Sequence, residues 1–369
     1  MLSLIHIPEG YRMFRRAGRI RRDGYMKYPG SAAEICLQII EHCWNREKKY
    51  FQVSRGNYPE FYCRDFGICT EALIRLGQKN KVAMTLEYAL DTFARHGKIT
   101  QIISPNGKPF EFPSFSSDAL PFLLRSLNLA GARDLIMKHK DFLNKEIMKY
   151  YKRVYDPKTG LVKPDRNISG MKDYALRVSP CYHNCMMAML AGEIGKAKLN
   201  NPFRGMNFKK RIKDNFWKKT HFIDDLSGNN AITGDANVFP FWCGIFTEKK
   251  MLKSVIQTMR RNELDYPVPL RYFHKKTREH DMIWQNIFAG DWEHDACWLH
   301  LGMCYLDIVK EGDSKMYAFY LDKVSGIVEH YQNFYEVLEP NGKPLMGRFY
   351  CSDDGMLWSS MLLRHLVGA

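Results

Sequence analysis

The sequence contains no Cys-x-x-Cys pair, although it holds ten cysteines. The usual spacing of a structural zinc site is therefore missing. No His-Glu-x-x-His run occurs either, so His294 has no metal-binding pattern around it, and neither a metal nor another cofactor is expected. There is no stretch of about 18 uninterrupted apolar residues, which argues against a membrane-spanning helix. The N-terminus lacks the apolar run of a secretion signal. No repeat of fixed period is present, as an open helical solenoid would show. Alternating apolar–polar runs are few, so strands should be scarce. The net charge is +15, yet no long basic tract with interleaved aromatics accompanies it. The excess lies in dispersed segments such as Arg15–Arg22, Lys209–Lys213 and Lys275–Arg278. This is the pattern of a solvated surface, with an acidic partner as the lesser alternative and no nucleic acid expected.

What is present points to helices. At 369 residues the chain is long for one domain and short for two or three. It is rich in rings, with 22 Phe, 20 Tyr and 7 Trp. Most should pack the core, and some are free to stack on a sugar face. Several cysteines fall in helical apolar patterns, where a free thiol behaves as a small hydrophobe. That usage favours a reducing compartment and hence a cytoplasmic location. Asn167-Ile168-Ser169 matches a glycosylation sequon, a frequent chance occurrence. The sequence carries no signal for an oligomeric state.

Apolar spacing near 3.6 predicts twelve helices, at about 29–44, 65–77, 79–96, 116–129, 131–150, 180–194, 205–217, 236–245, 247–260, 294–310, 313–334 and 355–367. Residues 1–28 read as a basic N-terminal extension and 29–369 as one all-helical domain. Short connections (Gly77-Gln78, Ala130-Gly131, Phe246-Thr247, Glu311-Gly312) alternate with long ones at 45–64, 97–115, 151–179, 218–235, 261–293 and 335–354. Short helix connections join antiparallel neighbours. All six long loops then gather at one end, where long loops usually carry function. The pattern predicts an (α/α)6 barrel, a toroid of six hairpins. Helices that follow long loops should form the inner ring, their N-termini facing the site.

Five polar segments fall on that face. Phe61-Tyr62-Cys63-Arg64-Asp65-Phe66-Gly67 opens the second helix, where Asp65 suits an N-cap and Arg64 offers a planar donor fork. Gly170-Met171-Lys172-Asp173-Tyr174 lies in the third long loop, with Asp165 a nearby competitor. Asn230 through Asn237 starts the eighth helix, and Asp235 or Asn237 is placed to cap it or to bond a sugar hydroxyl. Trp284-Gln285-Asn286 precedes Gly290-Asp291-Trp292-Glu293-His294-Asp295, a run dense in indoles and polar groups. Last, Phe334-Tyr335-Glu336-Val337 leads to Ser352-Asp353-Asp354-Gly355-Met356-Leu357-Trp358. Glu336 sits at a helix C-terminus, where the macrodipole disfavours acid. Helix capping, local ion pairs and core indoles are the plain explanations of each segment.

Glycosidic cleavage needs one carboxyl to protonate the leaving oxygen and another to activate water or attack carbon, with about 6.5–9.5 Å between them for inversion. Asp173 and Glu336 belong to the third and sixth long loops, across the mouth of a six-hairpin ring. That placement suits a wide pair with water between.

At these segments the chain resembles the alpha/alpha-toroid glycoside hydrolases: glycoside hydrolase family 63, the glucoamylases and the amylo-alpha-1,6-glucosidase domain of glycogen debranching enzymes. Phe61-Tyr62-Cys63-Arg64-Asp65 is similar to their early aromatic-x-x-Arg-Asp segment. Ser169-Gly170-Met171-Lys172-Asp173 is similar to the segment that supplies the general acid, with Met171 where Trp is usual. Gly234-Asp235-Ala236-Asn237-Val238-Phe239-Pro240 and the Trp-Gln-Asn run have counterparts. Tyr335-Glu336-Val337 through Met356-Leu357-Trp358 is similar to the segment that supplies the general base. The resemblance spans about residues 30–367. It implies an inverting, exo-acting glycosidase on alpha-glucosides or related sugars, with Asp173 as acid and Glu336 as base. Tyr62, Arg64, Asp65, Asp235, Asn237, Trp284, Asn286, Trp292 and Trp358 would then shape a carbohydrate pocket.

Two other readings compete. One is a different six-hairpin sugar enzyme, an epimerase, a uronate lyase or an unsaturated-glucuronyl hydrolase, for which His183 and His294 are the candidate paired histidines and the basic charge would suit an anionic sugar. The other is a non-catalytic glycan-binding helical module, which the uneven loops disfavour.

Overall fold

The first hairpin helix begins where a local signal demands it. Ser31 and Glu34 form a reciprocal capping box, with Ser31 N donating to the Glu34 carboxylate at 2.8 Å. The same logic ends the helices at the tight turns: Gly131, at φ 68°, closes its helix in the left-handed conformation that costs a side-chain-bearing residue energy. In the computed structural model of the chain, which describes residues 7–165, 167–173, 175–228, 231–274 and 292–369, each of the twelve expected helices is found. The helices are α1 (Ile7–Asp23), α2 (Ala32–Cys43), α3 (Cys63–Arg75), α4 (Lys79–His96), α5 (Ala119–Ala130), α6 (Arg133–Lys138), α7 (Lys140–Val154), α8 (Cys181–Lys196), α9 (Phe208–Phe216), α10 (Gly234–Trp242), α11 (Lys249–Arg261), α12 (Leu299–Gly312), α13 (Ser314–Tyr331) and α14 (Ser359–Val367).

One point differs from the sequence expectation. The helix expected at 131–150 is broken at His139, which leaves helical geometry (φ −110°, ψ 20°) and bonds Asp91 on α4 at 2.7 Å. Within the basic N-terminal extension, Ile7–Asp23 form α1.

The inner layer is the set of helices that follow long loops. α3 packs on α5, α5 on α8, α8 on α10 and α10 on α12, while α14 returns to α3. Asp307 of α12 pairs with Arg364 and, at 3.0 Å, with His365 of α14, which ties the last two inner helices together. α2, α4, α9, α11 and α13 pack outside them. One continuous buried cluster fills the space between the layers. α3 and α5 approach closely at Gly67. A Cβ there would lie 2.5 Å from the Cβ of Phe122 and 2.7–2.8 Å from its ring. Gly67→Ala is therefore expected to destabilise the fold by about 1–3 kcal/mol through overpacking. Chemical denaturation checks this, and an unchanged midpoint would refute the close packing.

Short strands lace the long loops together. β1 (Trp44–Asn45) pairs with β2 (Tyr50–Phe51), and β7 (Tyr155–Asp156) with β8 (Leu161–Val162). β3 (Phe61–Tyr62), β4 (Ile102–Ile103) and β5 (Pro109–Phe110) form an antiparallel trio. β6 (Phe115–Ser116) runs parallel to β9 (Ile168–Ser169), which brings the segment before α5 beside the Asp173 loop. β10 (Cys297–Trp298) is antiparallel to β11 (Val337–Leu338), and Leu299 N donates to Glu336 O at 3.3 Å. Glu336 is thereby fastened at the N-terminus of an inner helix.

Candidate active site

Arg64, at the start of α3, is the hub of one half of the site. Its Nε donates to Asp118 at 2.7 Å and its Nη2 to Asp173 at 3.0 Å. With the Gln101 amide turned to satisfy both of its groups, the Gln101 oxygen also accepts from Nη2 at 2.6 Å. Asp118 is further held by Tyr182 Oη at 2.7 Å and by the Ser116 hydroxyl. Burial works against the charge on Arg64, but Asp118 and Asp173 hold its pKa well above the ordinary value. The planar fork thus fixes Asp173 from one side. From the other side, Asp173 N donates to Glu293 at 2.7 Å. The Asp173 side chain keeps 20% of its surface exposed. Burial raises its pKa, and Arg64 draws it down.

Asp65 lies inside the first turn of α3, where Tyr62 occupies the N-cap position and no side chain caps the helix. Asp65 instead accepts from Trp358 Nε1 at 3.0 Å. Burial, reinforced by nearby Asp173, pushes its pKa up to about 6. The Trp358 ring leans on His300, with 4.4 Å between centroids.

Glu336 is the hub of the other half and is 2% exposed. It accepts from Tyr58 Oη at 2.9 Å, from Tyr350 Oη in a shorter bond, and from Asp353 N at 3.0 Å. Burial and then the Asp353 carboxylate push its pKa up to about 8. Tyr62 bridges the two halves. Its ring meets Tyr58 edge-on at 5.8 Å, and burial together with the charges of Asp65 and Asp173 raises its own pKa. Trp292 stacks on Trp298 at 5.2 Å and tilts against Tyr350 at 5.1 Å. Tyr62, Arg64, Asp65, Asp173, Trp292, Glu336 and Trp358 therefore lie in one connected network. Tyr58, Tyr350 and Asp118 join it without having been singled out in the sequence; only the preference of buried carboxylates for donors would have suggested them.

Asp235 and Asn237 are placed differently. Both are fully buried. Asn237 donates to Phe222 O (3.0 Å) and Thr233 O (2.8 Å) and accepts from Phe222 N (2.9 Å). Its amide stands in for a strand partner and leaves no group for a sugar. Asp235 belongs to an ion cluster that supports the Asp173 loop. Arg177 Nη1 reaches Asp235 at 2.8 Å and Asp224 at 3.1 Å, and Lys172 Nζ lies 3.3 Å from Asp224 and 3.8 Å from Asp235. Lys172 also sits over the Phe273 ring at 3.9 Å. Against the effect of burial, Lys172 and Arg177 hold Asp224 below the usual carboxylate range. Trp284, Asn286 and Asp291 lie outside the described residues. His183 is buried under Gly170, whose absent Cβ would clash with its ring, and burial holds it well below the ordinary histidine value.

Among the described residues no group of His, Cys, Asp and Glu is arranged to hold a metal ion, and no helix is long and apolar enough to cross a membrane. All ten cysteines are free. A cleft of about 440 Å³ opens on the opposite, tight-turn face beside Trp242. Two of the arginines lining it are paired there, Arg125 with Glu71 and Arg364 with Asp307, and the carboxylates of the network described above are not among its lining.

No family model and no curated protein matches this sequence. Solved structures do match in fold. A glycosidase aligns over 100% of this chain and 99% of its own, at 12% identity and a TM-score of 0.65. A glycosidase variant in complex with glucose gives the same coverage and identity at 0.63. A rhamnosidase from Klebsiella oxytoca with rhamnose bound aligns over 93% of this chain and 66% of its own, at 10% identity and 0.62. A bacterial glucoamylase complexed with acarbose aligns over 96% and 56%, at 12% identity and 0.61. The chain therefore has the alpha/alpha-toroid fold found in glycoside hydrolases.

Proposed function

We propose that the chain is a glycoside hydrolase, exo-acting and inverting, that cleaves an alpha-glucosidic or related bond with Asp173 as general acid and Glu336 as general base. The observation that carries this reading is the pair itself. Two carboxylates with raised pKa values, Asp173 partly exposed and Glu336 buried, belong to the third and sixth long loops, each oriented by its own set of donors and joined through an aromatic lining. Asp65 and Arg64 are placed to grip hydroxyls, and Trp292, Trp358 and Tyr62 to cover apolar sugar faces.

The charge of the site favours a neutral sugar. Asp65, Asp118, Asp173, Glu293, Glu336 and Asp353 surround it, and Arg64 is already held by two of them. A uronate would meet repulsion there, which counts against the lyase and glucuronyl-hydrolase readings. Fold neighbours in complex with glucose and with acarbose support a glucoside substrate, and one with rhamnose bound supports a related sugar. A reducing, cytoplasmic location belongs to the same proposal, supported by the ten free thiols.

A second assignment exchanges the two roles. Glu336, pushed up to about 8, is protonated at neutral pH, as a proton donor must be. The experiment that tests the function is a screen of neutral disaccharides and aryl glycosides, with NMR of the first-released anomer. Release of free sugar with inverted configuration is expected. An unsaturated or isomerised product would overturn the hydrolase reading, and retained configuration the inverting one.

A further inference from the structure

Three arginines of α1 fasten it to the loops that form the site. Arg21 donates to Gly347 O (3.0 Å) and Arg348 O (2.6 Å). Arg12 pairs with Glu60 at 2.5 Å and donates to Asn57 O at 2.8 Å. Arg16, 7% exposed, pairs with Asp353 at 3.0 Å and more closely with Asp354. Apolar contacts add to these: Met13 packs against the main core and the Phe14 ring lies 6.1 Å from that of Phe349. Ala17 and Ile20 meet Cys351 in a small cluster apart from the main core.

Asp353 is where α1 meets the machinery of the site. It is fully buried, and besides Arg16 it accepts from the Ser54 hydroxyl and from Asn57 N at 3.0 Å. Its own N donates to the Glu336 carboxylate at 3.0 Å, and Glu336 N donates to Asp353 O at 2.9 Å. The two residues are thus locked by one backbone-to-backbone bond and one bond from Asp353 N to the Glu336 carboxylate, and a displaced Asp353 displaces Glu336. The chain leaves room for the ion pair at Gly56. A Cβ there would fall on the Asp353 carboxylate and lie 2.8 Å from the Arg16 guanidinium carbon. A buried carboxylate stripped of its cation is driven to protonate or to move.

We propose that Arg16 is a positioning residue of the site: by holding Asp353 it holds Glu336 in its working place, so that α1 serves the sugar-processing face of the toroid. This rests on the reading of Glu336 as a reacting carboxylate. A misplacement on the order of 1 Å is enough to lower turnover about a hundredfold.

The test compares five variants of the whole chain on the best neutral glycoside from the screen, with thermal unfolding recorded alongside. Arg16→Gln and Gly56→Ala are each expected to lower kcat by about tenfold or more with KM within about twofold, the signature of a lost transition-state arrangement. Gly56→Ala changes no charge, so it reads geometry alone. Arg16→Lys should recover most of the lost kcat. Arg12→Gln loosens the same helix without touching Asp353 and should leave kcat near native. Native kcat in a folded Arg16→Gln protein would overturn the inference, as would an equal loss in Arg12→Gln. If Glu336→Gln keeps native turnover, the reading of the site fails. If Glu336→Gln is inactive and Arg16→Gln is native, this inference alone fails.

Discussion

Glu336→Gln should lower turnover by about 10²–10⁴-fold, the usual contribution of a positioned acid or base, while sugar binding stays near native. The amide keeps the size; its oxygen can accept from Tyr350 Oη and Asp353 N while its NH2 donates to the Tyr58 hydroxyl, so the pocket is preserved and the proton chemistry is lost. The pH dependence follows from the burial and the Asp353 charge that push this carboxyl up to about 8. A base works ionised. Below its pKa Glu336 carries a proton, so kcat/KM should rise as pH increases through about 8, and the Gln variant should lack this limb. A limb that falls through the same value would assign Glu336 as the acid. Leaving-group chemistry separates the roles independently. An acid variant retains activity on glycosides whose leaving group departs without protonation, and a base variant does not. Asp173→Asn should therefore be rescued by a dinitrophenyl glycoside and Glu336→Gln should not. The opposite pattern would exchange the two assignments.

Arg177→Met should cost about 3–5 kcal/mol of folding stability, because it leaves two buried carboxylates to share a single cation. Asp224 and Asp235 share Arg177 and Lys172, and all four side chains are at most 3% exposed. With Arg177 gone, one lysine faces two carboxylates, and its contacts are the longer ones, 3.3 and 3.8 Å. Adding Asp235→Asn to Arg177→Met should recover part of the loss, since the surplus negative charge goes with it. Urea unfolding of the single and double variants measures this coupling. A single-variant loss below about 1 kcal/mol, in the range of an exposed ion pair, would mean that the cluster is solvated and the account is wrong. The loop that carries Asp173 runs between Lys172 and Arg177, so the same variant should also weaken catalysis.

The helices and the end of the barrel where the long loops gather were legible in the sequence, because both rest on local signals. Apolar spacing marks a buried helical stripe wherever it occurs, and the alternation of loop lengths states which ends lie together. Motif order along the chain was enough to place Asp173, Glu336, Arg64 and Asp65 on one face. Side-chain roles within that face were less legible. Asp235 and Asn237 stand in a polar run that reads as sugar-binding, but their partners, Arg177, Lys172, Phe222 and Thr233, come from several loops and turn both residues inward. Tyr58 and Tyr350 belong to no motif, and the two bonds that make them matter span 278 and 14 residues.

The sequence by itself determined the all-helical toroid and the face on which its long loops gather, since periodicity and loop length are set residue by residue. Which carboxylate meets which donor came only from the packed chain, and with it which acids join the candidate site, which are tied into ion clusters, and how strongly each holds its proton. Tertiary packing also turned the N-terminal extension into a docked helix with Arg16 on Asp353. Burial and hydrogen-bond partnership are properties of the packed chain, created only when loops far apart in sequence close over one another.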